Sequence, residues 1–180
     1  MLALIHRFRS DEALMQSYQG GDVGAFECLY HRHKDALFAF LYRSCPRRDV
    51  VEELCQDSWA AVVNRAPDYR ADATFRTWLY RIARNRLADF WRRRDNSHDR
   101  LEQVPEPAAD NSGGEEDVSA LLMTAIGQLP PAQRDTLLLH EQGFSHAEIA
   151  SITDAGEETV KSRLRYARGQ LREQRESWYE

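Results

Sequence analysis

The chain has 180 residues, of which 42 % are apolar and 29 % charged, with a formal net charge of −5. That supports one medium domain or two small ones, and no run approaches the roughly 20 apolar residues a membrane helix needs. Residues 1–5 are apolar but too few for a signal peptide, and His6, Arg7 and Arg9 follow at once, so the expected location is the cytoplasm, without direct membrane insertion.

Taken in chain order, Ser10-Asp11-Glu12 opens a short helix that Gly20-Gly21 stops. Asp22 stands where it caps a longer helix, with an apolar stripe through Phe26, Leu29, Tyr30, Leu37 and Leu41 and an end at Pro46. Asp49 with Glu52 has the spacing of a capping box for a third helix carrying Val50, Val51, Leu54, Trp59 and Val62. Residues 66–73 hold Pro67 and little apolar material, which predicts a loop. Thr74 then starts a long helix through Phe75, Leu79, Ile82, Ala83, Leu87 and Phe90.

Segment 95–117 carries eight acidic residues against one Arg100, with two prolines, a glycine pair and no aromatic residue. Too little of it can be buried for it to fold alone, so it reads as a flexible acidic linker between domains at 1–94 and 118–180. No alternating strand pattern flanks it, so the expected fold is all-α, with two small helical domains.

In the second domain Leu121, Leu122, Ala125 and Ile126 predict one helix, stopped by Leu129-Pro130-Pro131. Pro131 suits the first turn of the next, which holds Leu137, Leu138 and Leu139 and ends at Gly143. Ser145 with Glu148 forms a capping box for a short helix. A turn at 153–156 then leads into a basic helix from about Glu157, which is a helix-turn-helix pattern.

The negative mean charge hides its distribution. Segment 75–94 has seven arginines against Asp89, and segment 159–175 has Lys161 and five arginines against Glu173. Two basic blocks flank an acidic connector, and local field governs contact with a polyanion. In the last helix, Val160, Leu164, Ala167 and Leu171 share a face toward Ile149, Ala150 and Ile152. Lys161, Ser162, Arg165, Tyr166 and Arg168 are left outward, with side chains suited to a major groove. In the long helix, Phe75, Trp78, Tyr80, Phe90 and Trp91 lie among the arginines, a mixture suited to unstacked bases as well as to a core. No metal, cofactor or nucleophile–base set emerges. Cys28, Cys45 and Cys55 form no CxxC pair, and Cys28, His31 and His33 do not share a helix face.

Certain runs resemble a known family. Gly21-Asp22, Ala25-Phe26, residues 51–57 (VEELCQD) and residues 73–85 (ATFRTWLYRIARN) are similar to region 2 of extracytoplasmic-function sigma factors. Residues 129–134 (LPPAQR) and 144–168, with Thr159-Val160-Lys161-Ser162-Arg163-Leu164, are similar to region 4. The resemblance implies a non-enzymatic promoter-reading subunit of RNA polymerase, without cofactor, whose partners are core polymerase (clamp and flap), double-stranded −35 and single-stranded −10 DNA, and an anti-sigma factor. By position it implies that Glu53, Gln56 and Asp57 dock on the clamp. It implies that Tyr69, Arg70 and Asp72, in the loop 69–73, form with Asn85 the pocket for a flipped −10 base, with Arg76, Trp78 and Arg81 beside it and Arg92 among the arginines that hold the strand's backbone. Lys161, Ser162, Arg165, Tyr166 and Arg168 would meet the −35 element. Asp154 stands where the family usually has Gly, and Gly156 where it has a Ser or Thr cap. Glu157 and Glu158 then favour the helix dipole but repel phosphates, so modest −35 affinity is expected. Two other readings stay open: a helix-turn-helix regulator with an unrelated sensor domain, and a sigma-like decoy that binds no DNA.

Overall fold

The computed structural model describes residue 6, residues 8–96 and residues 115–177. The elements are α1 (Asp11–Gln19), α2 (Val23–Ser44), α3 (Arg48–Arg65), a 3-10 turn (Ala66–Asp68), α4 (Phe75–Asn96), α5 (Glu115–Gln128), α6 (Pro131–Glu141), α7 (His146–Thr153) and α8 (Glu157–Ser177). Among the described residues there is no strand. Most of the segment expected as a linker lies outside the described residues. Its two ends, at 95–96 and 115–117, are the last and first turns of α4 and α5.

Ser10 caps α1, its hydroxyl accepting the Ala13 amide at 3.2 Å, and Asp22 caps α2 by accepting the Ala25 amide at 3.3 Å. Between them Gly21 has φ +95°, a left-handed conformation that costs glycine little. The buried row of α2 is Ala25, Leu29, His33, Leu37, Phe40, Leu41 and Ser44. Tyr30, expected in that row, packs its ring on Trp59 at 5.1 Å with its rim in solvent. His33 takes the core position because Asp11 meets its Nε2 at 2.6 Å, and Arg32 Nη1 donates to the same carboxylate at 2.7 Å. Burial by itself pushes the Asp11 carboxyl up, but these hydrogen bonds outweigh it and hold the group below its ordinary value. The resulting stabilisation is present above about pH 4 and is lost as pH falls through the lowered value.

The expected capping box at Asp49 does not form. α3 begins two residues earlier, at Arg48, so Asp49 lies inside the first turn and pairs with Arg47 at 3.1 Å, while Glu52 pairs with Arg48 at 2.8 Å. One turn of shared charge pairs thus replaces the cap. The first domain closes around Leu29, Leu37, Phe40, Val51, Leu54, Val62, Leu79 and Leu87 from α2, α3 and α4. Each such side chain contributes about 1.5–3 kcal/mol by leaving water.

In the second domain Pro131 is the first residue of α6, and Ser145 with Glu148 makes the expected reciprocal box on α7. α7 ends at Asp154, whose φ of 53° and ψ of 50° are left-handed. That geometry explains the usual glycine there. Aspartate is among the few other residues that tolerate it. Val160, Leu164 and Ala167 of α8 are buried, as their spacing predicts, whereas Leu121 and Leu122 of α5 stay exposed beside buried Ala125 and Ile126.

The second domain packs on the first, with α7 against α4 and α6 against α2. Phe144 stands 4.8 Å from the Tyr80 ring, and Tyr80 in turn meets Phe40 at 5.3 Å. One aromatic column therefore joins the two cores.

Candidate nucleic-acid interface

The loop after α3 is held at both ends. Gln19 Nε2 donates to the Ala66 carbonyl at 2.8 Å and to the Tyr69 carbonyl at 3.1 Å. At the far end, Glu12 Oε1 accepts the Phe75 amide at 3.0 Å, and Thr74 Oγ1 accepts the Thr77 amide at 3.2 Å. Tyr69, expected to face a DNA strand, is instead 5 % exposed, with its ring against Trp78 at 5.0 Å and its hydroxyl donating to Ala73 at 3.5 Å. Burial, and then Glu12 and Asp11, push its hydroxyl up to about 12, so it stays protonated. Trp78 is half-buried and buttresses the loop. What the loop presents outward is Arg70, Ala71, Asp72 and Ala73.

Along α4, Arg81, Asn85 and Arg92 are exposed, with Arg92 paired to Asp89 at 3.1 Å. Asn85 lines a concavity of about 330 Å³ with Arg65, Arg86 and Arg92. Residues 71–73 line a different cleft, of about 510 Å³, between the loop and α7. The expected single pocket is thus two. Asn85 lies ten residues along α4 from Phe75, about 15 Å along the axis.

Other residues of α4 are engaged by the second domain. The Arg76 guanidinium lies 4.0 Å from the Phe144 ring centroid and donates to the Gln142 carbonyl. Thr77 donates to Glu148 at 3.2 Å, and Arg84 Nε stands 3.5 Å from Asp135. Burial pushes the Asp135 carboxyl up, opposed by Arg84, Arg134 and Arg163 around it. Tyr80 is fully buried at this junction, and Trp91 is partly buried against the core. Of the aromatic surplus in α4, Tyr80 seats the second domain and Trp78 buttresses the loop.

On α8, Lys161, Arg165, Tyr166 and Arg168 are exposed and Ser162 is half-buried beside them. Lys161 is paired with Glu158 at 2.6 Å, an exposed contact of low value that a phosphate can displace. His146, Arg165, Arg168 and Arg172 share a basic concavity of about 440 Å³ on this face. Glu53, Gln56 and Asp57 are all exposed, on the side of α3 opposite Val51, Leu54 and Ser58. The cysteines are free, and burial, then Glu52, push the Cys55 thiol up to about 11, which leaves it unreactive at neutral pH.

Sequence comparison sets aside the unrelated sensor domain. The Sigma-70 region 2 family matches residues 29–97 and the Sigma-70, region 4 family matches residues 119–171. The RNA polymerase sigma factor NccH of Alcaligenes xylosoxydans xylosoxydans is 34 % identical over 174 residues, covering 89 % of this chain and 92 % of that one. The chain belongs to the extracytoplasmic-function sigma factors. A further relative, the ECF RNA polymerase sigma factor SigM of Mycobacterium tuberculosis, is 32 % identical, covering 91 % and 83 % of the two chains. The fold agrees. CnrH, solved with the cytosolic domain of CnrY, superposes with a TM-score of 0.75 at 22 % identity, covering 94 % of this chain and 99 % of that one. The sigma factor RpoE of Bartonella quintana, solved with the anti-sigma factor NepR, gives 0.72 at 25 % identity, covering 84 % and 96 %. The chain is thus a transcription initiation factor.

In this sigma factor sequence reasoning missed Glu12, Gln19, Gln142 and Phe144. Their partners lie tens of residues away, and no local periodicity signals them.

Proposed function

We propose that this sigma factor acts in the cytoplasm, binding core polymerase through Glu53, Gln56 and Asp57 on α3 and reading the −35 element with Lys161, Ser162, Arg165, Tyr166 and Arg168 on α8. The −10 strand is held unpaired along α4, where Arg70 and Asp72 of the loop meet one extruded base and Asn85 meets a second position. Arg81 and Arg92 neutralise phosphates between and beyond them, and Arg76 joins them once the domains part. An anti-sigma factor controls the protein, a reading supported by the likeness to RpoE, which was solved with NepR.

The observation that carries the α4 assignment is the placement of Asn85 in a concavity walled by Arg65, Arg86 and Arg92. An amide offers both a donor and an acceptor to a base edge, while arginines supply the sequence-independent attraction. Asn85→Ala is therefore expected to weaken binding of single-stranded −10 oligonucleotide at one base position, by about 1–3 kcal/mol. Arg92→Ala should weaken all variants evenly and flatten the salt dependence. Titration of base-substituted oligonucleotides measures both, and unchanged discrimination by Asn85→Ala refutes the assignment.

A further inference from the structure

We propose that Glu12 and Gln19 of α1 are positioning residues for base capture, fixing the loop between α3 and α4 in the shape that receives the base. This rests on the reading of that loop as a base-holding element. α1 precedes the matched region 2 segment, which begins at residue 29, so nothing about that match gives α1 a part in DNA contact.

The geometry is that of a frame. One side-chain amide, Gln19 Nε2, holds two carbonyls, Ala66 and Tyr69, at the start of the loop, 47 and 50 residues away in sequence. One carboxylate, Glu12, holds the first amide of α4, 63 residues away, at its end. The buried Tyr69 ring and its hydroxyl on Ala73 tie the middle down. Arg70 and Asp72 remain exposed between these fixed points. α1 is itself immobilised on α2, by Asp11 on His33 and Arg32. A loop held in its bound shape does not spend binding energy on ordering, and it keeps donors and acceptors within the few tenths of an ångström that base discrimination demands. Neither pin has to touch DNA.

The test uses the full chain bound to core polymerase and a single-stranded DNA library randomised across the −10 width, with the bound fraction sequenced. Wild type gives a preference profile, and Arg70→Ala and Asp72→Ala identify the loop's position in it. Gln19→Ala and Gln19→Glu, which lack the donor, are expected to reduce the preference at that position at least fivefold while the preference at the Asn85 position persists. Glu12→Ala should do the same, and Glu12→Gln, which still accepts the Phe75 amide, should restore most of it. Retention of the loop's preference in Gln19→Ala and Glu12→Ala overturns the proposal. So does loss at every position together with loss of polymerase binding, because the pins then serve the whole domain. If Arg70→Ala and Asp72→Ala themselves change no preference, the loop reading fails and the pins fall with it.

Discussion

Glu53→Lys combined with Asp57→Lys is expected to abolish binding to core polymerase while the helical circular dichroism signal is retained. Both carboxylates are exposed on α3, one turn apart, on the face opposite the buried Val51, Leu54 and Ser58. Reversing them therefore leaves the packing of the first domain untouched. Close charge pairs across an interface couple by about 1.5–7 kcal/mol, so reversing two should cost about 3 kcal/mol or more, a hundredfold or greater rise in Kd. Binding to single-stranded −10 oligonucleotide should stay within twofold, because α3 presents this face away from α4. Core affinity measured by fluorescence anisotropy checks the first half, and an unchanged Kd would remove α3 from the polymerase interface.

The second large effect concerns the contact between the two domains. Phe144→Ala is expected to raise affinity for the −10 strand at least fivefold. Phe144 is 3 % exposed, its ring 4.8 Å from Tyr80 and beneath the Arg76 guanidinium. Truncating a buried Phe costs about 3–5 kcal/mol, and here much of that falls on the closed arrangement. An apparent Kd scales inversely with the fraction of molecules in the competent state, so releasing Arg76 and Thr77 strengthens binding. Closure also places Glu148 over the cleft beside Asp72, where it repels a phosphate. The arrangement suits a molecule off the promoter. A folded chain of this length has a radius of gyration near 16 Å, so parting of the domains registers as expansion. Small-angle scattering should show the variant expanded, and an unchanged radius with unchanged −10 affinity would rule out closure as a brake.

Much of the fold is legible in the sequence because its signals are local. The Ser10, Asp22 and Ser145 caps, Pro131 at the start of α6 and the Val160–Leu164–Ala167 face of α8 each depend on residues within a few positions of one another. Some readings fail where a distant partner intervenes. His33 occupies a core row only because Asp11 satisfies it, and Tyr80 reads as a spare aromatic until Phe144 covers it. Residues 71–73 and Asn85 line separate concavities, which no local pattern distinguishes. Asp49 fails as a cap because α3 starts two residues sooner, with Arg47 and Arg48 supplying the pairs. The exposed site residues Arg70, Asp72, Arg81 and Asn85 carry no partner that periodicity could reveal. Their proposed role rests on resemblance to the family's motifs.

The most direct test of the account is run-off transcription from genomic fragments with purified core polymerase and this chain. Discrete transcripts are expected that appear only when the chain is added, start downstream of one shared −35 and −10 pair, and disappear with Glu53→Lys/Asp57→Lys. A chain that binds core polymerase yet yields no promoter-specific transcript from any fragment would contradict it.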